Sequence, residues 1–158
     1  MTEPVSLPSF RRLKPEDAVA LAELLSIQDA NYMKEFVPFA FEAGAIHSLL
    51  GNSNADQHWG MEINGRLVGL VMLRFHERYS RPSFGLMVDK AYSGRGIGAA
   101  GLDFALAWCR ENGIEEIMLK VASDNTRARS LYESRGFAIE ATCEDTGHLI
   151  HSLRLSAP

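Results

Sequence analysis

Apolar and polar residues along this chain fall into two rhythms, and the switches between them mark the elements. Phe10 to Leu13 reads as a short first strand. Pro15-Glu16-Asp17 then opens a helix to about Ile27, with Ala18, Leu21, Ala22, Leu24 and Leu25 on its apolar side. A loop rich in aromatics follows (Tyr32, Phe36, Phe39, Phe41, with Pro38 among them), then a second helix over about Glu42 to Leu50 that Gly51-Asn52-Ser53-Asn54 ends. Trp59 to Ile63 and Leu67 to Phe75 flank Asn64-Gly65, the dipeptide best suited to a type I′ turn, and predict a hairpin.

Past Arg81-Pro82, Ser83 to Val88 is a further strand. A helix from about Gly98 to Glu111 stops at Asn112-Gly113. Its apolar residues, from Leu102 through Phe104, Leu106 and Trp108 to Cys109, cover most of its circumference and predict a largely buried helix. Ile114 to Ala122 is a strand, and Ser123-Asp124-Asn125 an N-cap cluster for a helix carrying Ala128, Leu131 and Tyr132 on one face and ending at Gly136. Strands at about Phe137 to Cys143 and His148 to Leu155 close the chain. The order β-α-α-β-β-β-α-β-α-β-β predicts an α/β fold: one domain over 1–158, with a mixed sheet of about seven strands and helices on both faces.

Composition changes this picture little. The chain has 158 residues, 46% apolar and 23% charged, which suits one globular domain. A net charge of -4 with no basic stripe removes the electrostatic case for nucleic acid. No apolar run approaches the roughly 18–20 residues that span a bilayer, so no membrane partner is expected. Met1-Thr2-Glu3-Pro4 lacks signal-peptide character. Cys109 and Cys143 form no metal or redox spacing, and a cytoplasmic setting is expected.

The chemistry concentrates in Ser93-Gly94-Arg95-Gly96-Ile97-Gly98-Ala99-Ala100-Gly101, between a strand and a helix. Glycines at every second position let backbone approach a ligand, and the helix start aims unpaired N–H groups and a positive dipole end at it. This is a phosphate cradle. Gly96-x-Gly98-x-x-Gly101 matches the dinucleotide fingerprint, but Leu119 and Lys120 stand where an acid should meet the ribose. Too little chain remains after it for a doubly wound sheet. A kinase-type P-loop fails as well, because no Gly-Lys-Ser/Thr follows the glycines.

Two motifs resemble the GNAT superfamily of acetyl-coenzyme A-dependent N-acetyltransferases. Its coenzyme motif, Arg/Gln-x-x-Gly-x-Gly/Ala after a strand, reads here Ser93-Gly94-Arg95-Gly96-Ile97-Gly98. Its second motif is complete in Asn125, Ala128, Leu131, Tyr132, Gly136 and Phe137. Ser93 departs from the usual Arg or Gln, which weakens pyrophosphate binding unless Arg95 compensates. The resemblance implies acetyl-CoA as co-substrate, held by Met87, Val88, Arg95, Gly96, Ile97, Gly98, Ala99, Asn125 and Ala128. It places the pantetheine arm between the strands Phe84 to Val88 and Ile114 to Ala122, whose backbone would also stabilise an oxyanion. It makes Tyr132 the general acid for the departing thiolate.

An alkyl amine is only about 0.04% neutral at pH 7, so its proton needs a route. The family often has a Glu on the strand before the glycines, and Ser83 to Val88 holds none. Candidates are Glu62, His76, Glu77 and His148, or water. Members that acetylate ribosomal-protein termini carry a Glu five residues before the motif Asn; Lys120 stands there and counts against a protein terminus. His148 and His151, three apart on a strand, would point to opposite faces, and no metal is expected. Cys109 reads as core, and Arg127 or Arg129 could meet the coenzyme's 3′-phosphate. The expectation is acetyl transfer onto a small-molecule primary amine held between Tyr32–Phe41 and the last two strands. A protein amine, or a coenzyme-binding module without turnover, is the alternative. Homodimer formation follows only by family analogy.

Overall fold

The computed structural model describes residues 7–29, 40–51, 55–75 and 81–155. Expectations that fall on Met1–Pro4, Tyr32, Phe36, Pro38, Phe39, Asn52–Asn54, His76 and Glu77 lie outside these residues. Strands β1 (Ser9–Arg12), β2 (Gln57–Ile63), β3 (Arg66–Arg74), β4 (Ser83–Val88), β5 (Glu116–Val121), β6 (Ala138–Thr142) and β7 (Leu149–Arg154) alternate with helices α1 (Ala18–Ser26), α2 (Ala43–Leu50), α3 (Ile97–Glu111) and α4 (Thr126–Ser134). The strands form one mixed sheet in the order β1-β2-β3-β4-β5-β7-β6. This is the predicted α/β architecture.

Local chemistry explains most boundaries. Asn64 and Gly65 both take positive φ (51° and 78°), as a type I′ turn requires, so β2 and β3 pair as a hairpin. Pro15–Asp17 is a 3₁₀ turn feeding α1. Asp17 accepts the Lys14 N–H at 2.8 Å and the Arg11 guanidinium at 2.9 Å. Gly136 (φ 95°) closes α4, its N–H donating to the Glu133 carbonyl at 3.0 Å.

Residues gather into two compact units, Met1–Met72 with Gly85–Leu102 and Leu73–Phe84 with Asp103–Pro158. In the first, Leu21, Leu24, Leu25 and Ile46 of α1 and α2 bury against Leu70 and Met87. The neighbouring residues Leu86 and Val71 instead lie where a Cβ on Gly101 of α3 would touch them. Successive strand residues point to opposite faces, so helices cover both sides of the sheet there. Gly101 lets α3 pack closely: an added Cβ would sit 2.9 Å from Leu86 Cδ1 and 3.1 Å from Met61 Sδ, so those side chains would have to shift. Phe41 packs against this same core.

In the second unit β5 pairs antiparallel with β7 (Leu119 opposite His151) and parallel with β4 (Ser83 opposite Met118). Arg81 bridges Glu116 at 2.6 Å and takes Glu140 bidentately at 2.9 and 2.6 Å. Helix α3 is largely buried, as its apolar residues predict: Leu102, Ala105, Leu106 and Cys109 are buried while Asp103 and Ala107 are exposed. Its core face is the ordinary i, i+3, i+4 stripe, and Phe104 and Trp108 flank it half-buried.

Candidate active site

The glycine segment is built by a chain of small local devices. Asp89 follows β4 and caps a 3₁₀ turn over Lys90–Tyr92, its Oδ1 accepting the Ala91 N–H at 3.0 Å. Ser93 closes that turn twice over, its N–H and hydroxyl both donating to the Lys90 carbonyl at 3.1 and 2.8 Å. Gly94 and Gly96 then take φ of 78° and 80°, a region costly to residues with a Cβ. Helix α3 starts at Ile97, and the Ala100 N–H donates to the Gly96 carbonyl at 3.0 Å. By that register the N–H groups of Ile97, Gly98 and Ala99 have no acceptor within the helix.

The two motif glycines have different causes. A Cβ on Gly96 would meet no heavy atom within 4 Å, so the loop faces open space that a ligand can fill. At Gly98 a Cβ would meet Leu86 Cδ2 at 3.4 Å, so that glycine seats α3 on β4 as well as baring its N–H. The three donors, the open approach and the dipole end fit a pyrophosphate. Arg95 lies with its guanidinium carbon 5.1 Å from the Tyr92 ring centroid. Met87 is buried in the core, and the backbone after Val88 is fixed by the Asp89 N–H donating to Val68 at 2.8 Å.

In the second unit, Asn125 caps α4, its side-chain oxygen accepting the Ala128 N–H at 3.2 Å. Tyr132 packs edge-on against Phe84 (6.2 Å between centroids) and Phe137 (5.9 Å). Burial pushes its phenol up to about 12 from an ordinary 10, which keeps the proton on. Ala128 and Leu131 are half-buried on the same face. Arg129 is tied to the Ser123 carbonyl at 3.0 Å, whereas Arg127 is exposed.

Among base candidates, Glu62 already accepts Arg11 Nε at 2.7 Å on β2. His148 directly precedes β7, its carbonyl accepting the Cys143 N–H at 2.7 Å. His151 is fully buried, Nε2 3.5 Å from Glu133 Oε1. Among the described residues no three His, Cys, Asp or Glu side chains gather as a metal centre. A hollow lined by Arg12, Leu49, Asp56, Gln57 and His58 contains none of the predicted site residues.

Sequence reasoning missed a clip behind the loop. Gln28, just past α1, donates to Asp89 Oδ1 at 3.2 Å and accepts the Lys90 N–H at 3.0 Å. Asp89 is 4% exposed. The capping geometry of Asp89 was readable from its place before a short turn; its partner, 61 residues away, was not.

Comparison with known proteins identifies the family and the fold. The profile of the acetyltransferase (GNAT) family matches residues 21–137. A mycothiol acetyltransferase of Beutenbergia cavernae is 36% identical over 74 residues, 47% of this chain, and the alignment spans 25% of that protein's length. An uncharacterized N-acetyltransferase of Bacillus subtilis, YhfO, is 27% identical over 94% of this chain and 99% of its own. The PaiA N-acetyltransferase of Thermoplasma acidophilum, solved with coenzyme A, superposes with a TM-score of 0.76 at 20% identity, covering 94% of this chain and 99% of that one. The match across most of the sequence and the shared fold lead to one assignment: the chain belongs to the acetyltransferase (GNAT) family.

Proposed function

We propose that residues 1–158 form one N-acetyltransferase domain that moves acetyl from acetyl-CoA directly onto a primary amine of a small molecule. The observation that carries the reading is the left-handed Gly94–Gly96 loop, open at Gly96, that leads into the bare N–H groups of Ile97, Gly98 and Ala99. Those donors take the coenzyme pyrophosphate. The backbone of Met87 and Val88, with Asn125 and Ala128, holds the pantetheine arm.

Bound acetyl-CoA supplies an acetyl group activated as a thioester. The amine nitrogen bonds to the carbonyl carbon, the carbon–sulfur bond breaks, and the amine's extra proton passes to water. Tyr132 donates its hydroxyl hydrogen bond to the departing sulfur. Burial raises its phenol above the ordinary range, so it carries its proton at neutral pH. Tyr132 therefore serves as the general acid, passing its proton to the departing thiolate and regaining one from solvent.

Lys120, exposed on β5, supports a small acceptor, because it stands where members acting on ribosomal-protein termini carry Glu. The test is a panel of amino sugars, amino acids, polyamines and short peptides offered with acetyl-CoA while free thiol is followed. Thiol release with amino sugars, amino acids or polyamines supports the reading. Release with peptides alone overturns the acceptor class, and binding without release makes the chain a coenzyme-binding module.

A further inference from the structure

Ser93 occupies the motif position that usually bears a long polar or cationic side chain, and its hydroxyl is consumed by the Lys90 carbonyl at 2.8 Å. Position 93 therefore delivers no charge to a ligand. Two other cations converge nearby. Arg95 sits 5.1 Å from the Tyr92 ring centroid, and Arg66, at the head of β3, sits 5.7 Å from the same centroid. Guanidinium groups held against an aromatic ring keep their N–H forks turned outward, ready for bidentate contact with an oxyanion.

Two guanidiniums thus stand at Tyr92 although the chain carries a net -4. Asp89 stands beside Arg66, its Oδ1 occupied by Ala91 and Gln28. Its buried Oδ2 has no hydrogen-bond partner and lies 3.9 Å from Arg66 Nη2. Asp89 thus orients Arg66 without neutralising both guanidiniums. The Arg66 side chain remains 61% exposed, so an incoming anion can reach it.

We propose that Arg66 is a coenzyme-binding residue: with Arg95, across Tyr92, it forms the cation pair that takes the phosphate groups of coenzyme A in place of a side chain at 93. This rests on the acetyl-CoA reading above and adds a residue on β3, outside both sequence motifs.

The test is calorimetric titration of the full chain with coenzyme A and with dephospho-coenzyme A, at low and high salt. Variants are Arg66→Gln, Arg66→Lys and Arg95→Gln, with Arg154→Gln as control. Arg66→Gln should weaken coenzyme A by roughly ten- to a hundredfold, the size of a lost charge-assisted contact. Lys should restore part of that, since an ammonium lacks the fork. The difference between wild type and Arg66→Gln should shrink at high salt, which a purely structural role for Arg66 would not produce. An equal loss with dephospho-coenzyme A places the pair on the pyrophosphate; a loss confined to coenzyme A places it on the 3′-phosphate. Wild-type binding that survives in Arg66→Gln, or a salt-independent loss, overturns the proposal. Absence of coenzyme binding by wild type itself would instead overturn the underlying coenzyme reading, and this inference with it.

Discussion

Gly96→Glu separates a ligand-binding glycine from a merely conformational one. Gly96 and Gly113 share the same local constraints: φ of 80° and 71°, and no heavy atom within 4 Å of an added Cβ. Glutamate at either position therefore incurs a similar backbone cost, about 1–2 kcal/mol. For a chain of this size that lowers the melting temperature by a few degrees. Only at 96 does the new carboxylate enter the proposed pyrophosphate space. Two unit charges about 5 Å apart repel by roughly 1 kcal/mol in water and roughly 3 kcal/mol at an effective dielectric near 20. With two phosphates opposed, affinity should fall by about a hundredfold or more. The assay is calorimetric titration with acetyl-CoA, paired with thermal melts of both variants. Matching melts with acetyl-CoA binding lost only in Gly96→Glu is the expected pattern. If Gly96→Glu keeps its affinity within about twofold, the cradle argument fails.

Tyr132→Phe keeps the packing against Phe84 and Phe137 and should lower the rate of thiol release while leaving acetyl-CoA binding near wild type. Because burial holds the phenol near 12, the wild-type rate should rise with pH as the amine deprotonates, with no decline from Tyr132 at pH 8 to 10; rate profiles of both proteins check this. The cysteines should differ in alkylation: burial raises Cys109 to about 11, whereas hydrogen bonds from Thr146 and the Asp145 backbone lower Cys143, so mass-resolved labelling at pH 8 should modify Cys143 first. Arg81 holds Glu140 below its ordinary 4.5, so the stabilisation is present above that value and is lost as pH falls through the depressed one. Melts of Arg81→Met should therefore lie below wild type at neutral pH, with the gap closing under acid.

Features set by short-range rules were legible in the sequence. Asn64-Gly65 dictated its hairpin turn, Asn125 its cap and Gly136 the end of α4, because each depends on a few neighbouring residues. Element ends moved by a residue or two where neighbours decide them: β1 covers Ser9–Arg12, and the predicted member Leu13 instead follows it, buried. Features set by distant partners were not legible. Nothing along the chain pairs Gln28 with Asp89, brings Arg66 to Tyr92, or spends Glu62 on Arg11. Apolar count served at α3, where half-buried Phe104 and Trp108 widen the buried stripe.

The central claim is direct acetyl transfer, and one measurement addresses it: release of coenzyme thiol from acetyl-CoA with and without amines of the panel, alongside intact mass of the protein. Direct transfer predicts thiol released only when an amine is present, in equal amount to acetylated amine, and a protein mass that does not rise by an acetyl group. Sustained acetyl-CoA binding with no amine-dependent thiol release would contradict it.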